Sequence, residues 1–375
     1  MTPELLVVVG ARPNFVKVAP VLHALAESGR VRVRVLHTGQ HYDHRLSGSF
    51  LEQLGFPAVD HALGVGSGSH AEQTAAVLVG VERVLSERLP TAMLVAGDVN
   101  STLAAALAAT KLGVPVIHLE AGLRSGDWSM PEEVNRVLTD RMSDVLLAHS
   151  EEALTNVVAE GIPADRLELV GNTMIDSLLR LLPAAKERRV PERLGLDPGA
   201  YVLVTLHRPA LVDDPSRLQA VIGALARLAG DLPVLLPAHP RTRGRMADAG
   251  LQIDPAVRIV DPVDYMDFIA LEAQARLVIT DSGGVQEETS ALGVPCLTYR
   301  TTTERPVTIS HGTNRLVGTD PEALAGACED ELLSPWPRPA PAIPLWDGAA
   351  GARAARVVEE RLEGWRREPE AAATG

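Results

Sequence analysis

The sequence alternates short apolar runs with longer amphipathic segments along most of its length. Runs such as Leu5–Val9, Ala92–Ala96 and Asp144–Ala148 have the length and content of buried strands, and polar residues follow them directly. Helical patterns fill the intervals, for example from about Ala71 to Leu89. Because neighbouring parallel strands need a crossover between them, this order of elements predicts an α/β fold.

The alternation divides the chain into two halves. A segment rich in Pro, Arg and Glu, from Pro183 to Gly199, is interpreted as the linker between them. We place the first domain at residues 1–178 and the second at 179–351, with a charged amphipathic helix at 352–367. Polar residues collect after the strands of both halves, which suggests a cleft between two domains. Strands of the second half are predicted at Tyr201–Leu206, Val234–Leu236, Arg276–Thr280 and Val294–Tyr299.

Composition argues against several classes of function. A net charge of −13 disfavours a nucleic-acid-binding surface or a polybasic membrane patch. No apolar run reaches the length of a membrane span, and the N-terminus lacks the pattern of a secretory signal, so we expect a cytoplasmic protein. The two cysteines, Cys296 and Cys328, provide neither a disulfide framework nor a thiolate metal site.

The stretch from His118 to Arg136 concentrates ionisable residues. Its start has the pattern of a strand, and Pro131 is in a position typical of the first turn of a helix. This arrangement places Glu120 at the carboxyl end of a strand and Glu132 at a helix start, and ligands bind beyond such strand ends in open parallel sheets. A solvated acidic loop with surface ion pairs is the alternative interpretation.

The segment from Asp281 to Glu288 is the most specific phosphate-binding signal in the sequence. A predicted strand runs into Ser282, Gly283 and Gly284, and a helix follows. The missing side chains let a phosphate approach the free N–H groups at the helix start, where the helix dipole favours its charge. Glu288 is spaced to accept hydrogen bonds from a ribose diol. The glycines could instead serve only the geometry of a strand-to-helix turn.

Other polar residues also follow predicted strands. Arg12 and Lys17 lie in the first strand-to-helix loop, where they could bind an anionic substrate or be exposed cations. Asp98 could be a general base or a turn former, and His207 could donate to a leaving phosphate or be an ordinary histidine. With Arg136, the two loop cations could neutralise a diphosphate, so we expect chemistry without a metal ion. Neither half has the Gly-x-Gly-x-x-Gly fingerprint, which weakens a nicotinamide interpretation, and no cofactor is expected.

A series of motifs follows in a fixed order along the chain. They are Gly10–Lys17, Thr38–His41, Gly97–Asp98, His118–Arg124, Pro131–Arg136, Gly171–Asp176, His207–Arg208, Asp281–Glu288 and Thr302–Pro306. In this order the chain resembles the non-hydrolysing UDP-N-acetylglucosamine 2-epimerase family over nearly its whole length. The resemblance implies a glycosyltransferase-B-like fold, with two Rossmann-like domains, a central cleft and a C-terminal helix that crosses back to the first domain. It also implies a homodimer.

The same resemblance implies an activity and a set of site residues. The reaction is inversion at C2 of UDP-N-acetylglucosamine to UDP-N-acetylmannosamine, through elimination of UDP to bound 2-acetamidoglucal and re-addition. Asp98, Glu120 and Glu132 match the carboxylates around the sugar, and His207 matches a residue near the leaving diphosphate. The positions that match nucleotide-binding residues are Arg12, Lys17, Arg136, Ser282, Gly283, Gly284 and Glu288, with Phe268 beside the uracil.

The sequence departs from the family pattern in two loops. After Arg208 the family has Arg-Glu-Asn, whereas this chain has Pro209–Asp214, a change that bears on the sugar substituents. Gln40 and His41 match a loop near a second, regulatory substrate site of bacterial members, but Tyr42 replaces the usual basic residue.

Several alternative functions are left open by the sequence. A hydrolysing epimerase would release UDP and N-acetylmannosamine with the same carboxylates, and a related epimerase would act on another UDP-2-acetamido sugar. A glycosyltransferase is a weaker alternative, because it does not require the cluster of Glu120 and Glu132. A nucleotide-sugar sensor without catalytic activity is weaker still.

Overall fold

The computed structural model describes most of the chain. The described residues are 2–39, 50–228, 232–238, 240–251 and 253–367. Gln40 and His41, the predicted regulatory residues, lie outside these ranges. The chain divides into two compact units, Met1–Ser177 with Pro344–Gly375, and Leu178–Ile343.

The first unit is built on a parallel sheet. Its strands are β1 (Glu4–Val9), β2 (Arg32–His37), β3 (His61–Ala62), β4 (Ala92–Ala96), β5 (Val116–Ala121), β6 (Val145–Ala148) and β7 (Leu167–Leu169). The order across the sheet is β3-β2-β1-β4-β5-β6-β7, and β1 and β4 are buried along their whole length, as expected for central strands. The helices that lie between them in sequence are α1 (Arg12–Ser28), α2 (His70–Glu87), α3 (Asn100–Lys111), α4 (Pro131–Met142) and α5 (Glu151–Ala159).

The second unit repeats this architecture on a smaller parallel sheet. Its strands are β8 (Val202–Thr205), β9 (Val234–Pro237), β10 (Val257–Val260), β11 (Leu277–Thr280), β12 (Cys296–Thr298) and β13 (Asn314–Leu316), in the order β10-β9-β8-β11-β12-β13. The helices from the junction of the units onward are α6 (Thr173–Glu187), α7 (Val190–Arg193), α8 (Pro209–Val212), α9 (Pro215–Leu228), α10 (Pro240–Asp248), α11 (Tyr265–Glu272), α12 (Gly283–Leu292), α13 (Val307–Ser310) and α14 (Pro321–Leu333).

Each sheet has one point where the strand order reverses. In the first unit this switch lies between β1 and β4, and in the second it lies between β8 and β11. The loops that leave adjacent strands at such a point run in opposite directions and leave a crevice at the carboxyl ends, where ligands bind. The predicted site residues after β1, β4, β8 and β11 therefore lie beside the two switch points.

The segment interpreted as the linker, which was expected to contain a helical piece, begins within a helix. Helix α6 continues through Pro183 to Glu187, and the division between the units falls inside it, after Ser177. Apolar residues at helical spacing, such as Leu178, Leu181 and Ala185, are buried along one face. Their burial outweighs the loss of one backbone hydrogen bond at the proline.

The C-terminal helix α15 (Ala350–Arg367) packs against α1 in the first unit, as the resemblance implied. Gly351 makes the close approach possible, because a Cβ built there would lie 2.5 Å from the Cβ of Pro20. The backbone N–H of Gly351 donates to Asp176 Oδ2 at 2.6 Å, and Arg353 Nε donates to the Val170 carbonyl at 2.7 Å.

No helix within the described part of the chain is both long and apolar enough to cross a membrane.

Gly351→Ala should destabilise the protein by about 1–3 kcal/mol, the usual cost of overpacking a tight contact. The added methyl group would meet backbone as well as side-chain atoms of Pro20, the nearest backbone atom lying 2.6 Å away. Gly364→Ala on the same helix is the matched control, because among the described residues nothing lies within 4 Å of its Cβ position. The control should be neutral or stabilising by up to about 1 kcal/mol. Urea unfolding followed by circular dichroism measures both, and equal midpoints would contradict the close contact.

Candidate active site

Gly97, directly after β4, is the centre of the polar residues in the first unit. Its φ of +66° lies in the left-handed region that favours glycine. A Cβ built there would lie 3.1 Å from Lys17 Nζ and 3.2 Å from Glu120 Oε2. Lys17 of α1 and Glu120 of β5 form an ion pair at this place, and both side chains are about nine-tenths buried. The sheet thus brings together two predicted site residues that are far apart in the sequence.

Glu120 itself has an unusual backbone. Its φ is +66°, and the pairing of β5 with β6 shifts register between Leu119 and Ala121. A residue other than glycine costs of order 1–3 kcal/mol in such a conformation, and these residues cluster at functional sites. The irregularity places the Glu120 carboxylate against Lys17 instead of leaving it in the regular alternation of the strand.

Asn14, which the sequence analysis missed, joins the start of α1 to the end of β4. Its Oδ1 accepts hydrogen bonds from the backbone N–H groups of Gly10 and Ala11 at 3.1 and 2.9 Å. Its Nδ2 donates to the Ala96 carbonyl at 2.8 Å, and the residue is 2% exposed. Asn14 therefore fixes the position of Lys17 one turn later. Its place in the Gly10–Lys17 motif was the available signal.

Arg136 of α4 holds the carboxylate of Asp98. Its Nε donates to Asp98 Oδ2 at 3.2 Å, Nη2 pairs with the same oxygen, and Nη1 pairs with Glu133. Arg136 is 2% exposed, whereas the Asp98 side chain is 22% exposed. The carboxylate of Asp98 is therefore partly exposed to solvent, whereas the guanidinium that holds it is buried. Asp98 directly follows Gly97 in the chain.

Glu132 and Glu133 are adjacent but have different surroundings. Glu132 is exposed, and it makes no hydrogen bond or ion pair to the residues that the structure describes. Glu133 is 1% exposed and accepts hydrogen bonds from the backbone N–H groups of Ser125 and Gly126 at 3.0 and 2.8 Å. The sequence analysis missed Glu133, although its spacing of three from Arg136 indicated a shared helix face.

Arg12 lies at the exposed start of α1, away from the ion pairs described above. Its Cζ is 5.7 Å from the centroid of the Phe50 ring, a cation–π contact. The guanidinium is thus kept near the switch point without a carboxylate partner among the described residues.

In the second unit, His207 after β8 and Asp281 after β11 form a pair. His207 Nδ1 lies 2.9 Å from Asp281 Oδ1, and Asp281 Oδ2 accepts from the backbone N–H groups of His207 and Arg208 at 2.9 and 2.8 Å. The hydrogen bond to Asp281 raises the pKa of His207 above its usual value of 6.5. Because Nδ1 is engaged and the side chain is 57% exposed, Nε2 is the nitrogen left for a ligand.

The start of α12 has the geometry expected for anion binding. Ser282 precedes the helix and makes no capping hydrogen bond with its side chain, and Gly283 and Gly284 follow. A Cβ built on Gly283 would lie 2.4 Å from Arg305 Nη1 and 2.7 Å from Glu304 Oε1. Glycine is therefore required here by the close approach of the 304–305 loop, in addition to any role toward a phosphate.

Glu288, farther along α12, is 5% exposed and accepts a hydrogen bond from the Tyr265 hydroxyl at 2.6 Å. Burial raises the pKa of Glu288 to about 7. Glu272, at the end of α11, is fully buried, and burial followed by the charge of Glu288 raises its pKa. Phe268 is partly exposed and lies one helical turn after Tyr265 on α11. The hydrogen bond from Tyr265 to Glu288 therefore joins the helix that carries Phe268 to α12.

Comparisons with known proteins identify the family. The family model for UDP-N-acetylglucosamine 2-epimerase matches residues 23–359. The UDP-N-acetylglucosamine 2-epimerase of Methanocaldococcus jannaschii is 39% identical over 95% of this chain and 98% of its own length. The chain belongs to the UDP-N-acetylglucosamine 2-epimerase family.

A second relative of this epimerase-family chain is named for a different UDP-sugar. The UDP-2,3-diacetamido-2,3-dideoxy-D-glucuronate 2-epimerase of Pseudomonas aeruginosa is 41% identical over 88% of this chain and 92% of its own length. A crystal structure of the M. jannaschii enzyme, in complex with UDP-GlcNAc and UDP, superposes with a TM-score of 0.87 at 38% identity and covers 95% of this chain and 99% of that one. The predicted α/β, glycosyltransferase-B-like fold class is confirmed.

No group of three or more His, Cys, Asp or Glu residues could hold a metal ion within the described ranges.

Asp281→Asn should lower the pKa of His207, because the carboxylate that raises it is lost. Because the pKa of His207 is raised on folding, the interaction with Asp281 stabilises the folded state fully at a pH below 6.5, the ordinary pKa of histidine. This stabilisation is lost as the pH rises through the raised pKa of His207. NMR titration of histidine-labelled protein measures the change. His311, which is exposed elsewhere in the same unit, is the internal control, and its signals should be the same in both proteins. An unchanged His207 midpoint would show that Asp281 does not set its protonation.

Proposed function

We propose that this protein catalyses reversible epimerisation at C2 of UDP-N-acetylglucosamine, giving UDP-N-acetylmannosamine. The observation that carries the proposal is the group formed by Lys17, Glu120, Asp98 and Arg136 around Gly97, in a chain of this family. The names of the M. jannaschii relative and of its complex with UDP-GlcNAc and UDP support the substrate.

The chemistry requires acids and bases on the sugar. The C2 hydrogen is weakly acidic, so elimination needs a base for that proton while the C1–oxygen bond breaks and UDP leaves with the bonding electrons. The product is 2-acetamidoglucal, and re-addition of UDP with protonation of C2 from the other face gives the epimer. We propose that Asp98, Glu120 and Glu132 provide the acids and bases, since paired carboxylates in different environments can divide these roles.

The second unit supplies the groups suited to a nucleoside diphosphate. The N–H groups at Gly283 and Gly284 and the imidazole of His207 would stabilise the charge on the departing UDP. Glu288 would accept hydrogen bonds from the ribose hydroxyls, and Phe268 would lie beside the base. The Ser282 hydroxyl, free of a capping bond, is available to the phosphates.

Cations of the first unit have a complementary role in the proposal. Arg12 would bind the anionic diphosphate, while Lys17 and Arg136 would hold the catalytic carboxylates in place and meet the substrate. The reaction as proposed uses no metal ion or cofactor. We propose that the enzyme acts in the cytoplasm as a homodimer, and light scattering on purified protein tests the dimer.

A related substrate is the second candidate, because the P. aeruginosa relative is named for a UDP-2,3-diacetamido sugar acid. The departure from the family pattern after Arg208 lies where it could alter sugar recognition. Comparison of kcat/KM for the two UDP-sugars decides between the substrates, and the larger value identifies the better one.

Incubation of UDP-N-acetylglucosamine with the enzyme in heavy water should give both epimers with deuterium at C2. Deuterium enters because the proton removed in elimination exchanges with solvent before C2 is reprotonated. Proton NMR and mass spectrometry of the recovered UDP-sugars measure it. Epimers without deuterium at C2 would exclude the elimination route, and stoichiometric free UDP at long times would identify a hydrolysing enzyme instead.

Glu120→Gln should lower kcat for epimerisation by about 10²–10⁴-fold, the usual contribution of one general acid or base. The affinity for UDP should change little, because Glu120 is not one of the groups proposed to bind the nucleotide. Glu82→Gln, an exposed carboxylate on α2, is the matched control and should keep full activity. Coupled assays give kcat, and calorimetry gives the dissociation constant of UDP. Full activity of Glu120→Gln would remove this residue from the mechanism.

A further inference from the structure

His118 of β5 is fully buried, and both nitrogens of its ring face an acceptor. Nδ1 lies 2.6 Å from Asp140 Oδ1, and Nε2 lies 2.8 Å from the carbonyl oxygen of Gly97. A backbone carbonyl can only accept, so Nε2 must carry a hydrogen. The protonation of the ring therefore depends on which partner holds the hydrogen between Nδ1 and Asp140.

Asp140 is itself held from its other side. Its Oδ2 accepts hydrogen bonds from the Gly122 N–H at 3.1 Å and from Arg124 Nη1 at 2.7 Å. Asp140 is fully buried, and Arg124 is in turn held by Glu160 through two hydrogen bonds of 2.6 and 2.7 Å. The fixed carboxyl group at Nδ1 therefore keeps the ring of His118 in one orientation, with Nε2 toward the Gly97 carbonyl.

His118 donates its hydrogen bond to the carbonyl of Gly97, the residue around which the candidate site is built. The Gly97 N–H donates to the Leu119 carbonyl at 3.0 Å, so β5 holds this residue from both its N–H and its carbonyl. The Lys17–Glu120 pair lies against the Cα of Gly97, and Asp98 is the next residue. A shift of this one peptide would therefore move both carboxylates.

We propose that His118 is a positioning residue for the epimerase reaction. As a buried ring oriented by Asp140, it donates a hydrogen bond from Nε2 that fixes the Gly97 carbonyl and so the positions of Asp98 and of the Lys17–Glu120 pair. This inference rests on the proposed function. The competing role is purely structural, in which the link from His118 to Asp140 only ties β5 to α4.

The protonation is tested on the wild-type protein, so no variant needs to fold. Histidine-selective ¹⁵N labelling and long-range ¹H–¹⁵N NMR at neutral pH should show a hydrogen on Nε2 of His118. His118→Asn identifies its signal by removing it. A His118 ring without a hydrogen on Nε2 would overturn the proposal.

The positioning role is tested by two substitutions that keep different hydrogen bonds. In His118→Gln the amide can reach the Gly97 carbonyl in place of Nε2, whereas His118→Asn can donate only toward Asp140. We expect kcat to fall by about 100-fold in His118→Asn and by only about 10-fold in His118→Gln, the range that small misplacements of catalytic groups produce. UDP affinity should not change in either. A purely structural link to Asp140 predicts that asparagine is the better replacement, and that result would overturn the proposal.

A matched control separates catalysis from stability. His149 follows the neighbouring strand β6 and is 2% exposed, and its ring lies 6.2 Å from that of Trp346. His149→Gln should lower the unfolding midpoint as His118→Gln does, without a comparable fall in kcat. Equal falls in kcat for the two would assign the effect to stability and refute positioning. A wild-type enzyme that epimerises no UDP-sugar would refute the proposed function, while the NMR result on His118 would still stand.

Discussion

The close packing of the Lys17–Glu120 ion pair against the Gly97 peptide is the constraint on which the first unit's site depends. It requires a glycine with a left-handed backbone after β4, a lysine one turn into α1, and a bulge that redirects Glu120. A side chain at position 97 would separate the charged pair from the turn that carries Asp98. The interaction therefore ties the backbone geometry of three elements to the position of the proposed catalytic carboxylates.

Buried charges around α4 support the same turn. Glu133, Arg136 and Asp140 lie on one face of this helix and pair with the 125–126 loop, with Asp98 and with His118. Buried ion pairs contribute little net stability, because removing their charges from water is costly. Their arrangement is better explained by orientation, because each buried group fixes a loop or a side chain. Two of the groups held in this way, Asp98 and His118, adjoin or contact Gly97. The helix thus acts as a support for the site.

The two units have different residues at the same place in a shared topology. Each sheet reverses its strand order once, and polar residues lie after the strands that flank the reversal. In the first unit those residues are carboxylates paired with cations, which the proposed function assigns to proton transfer on a sugar. In the second they are the glycines at a helix start and the His207–Asp281 pair, which it assigns to a diphosphate.

Local patterns in the sequence determined the α/β class, the strand ends and the glycines at the start of α12, because strand and helix periodicity and glycine conformation are properties of neighbouring residues. The family motifs added the candidate carboxylates. Tertiary structure alone decided that Pro183 lies inside a helix, that Glu133 is buried while Glu132 is exposed, and that His118 reaches Gly97. Those outcomes depend on which face of a helix or strand meets the core and on contacts between residues some twenty positions apart, and no local pattern specifies either.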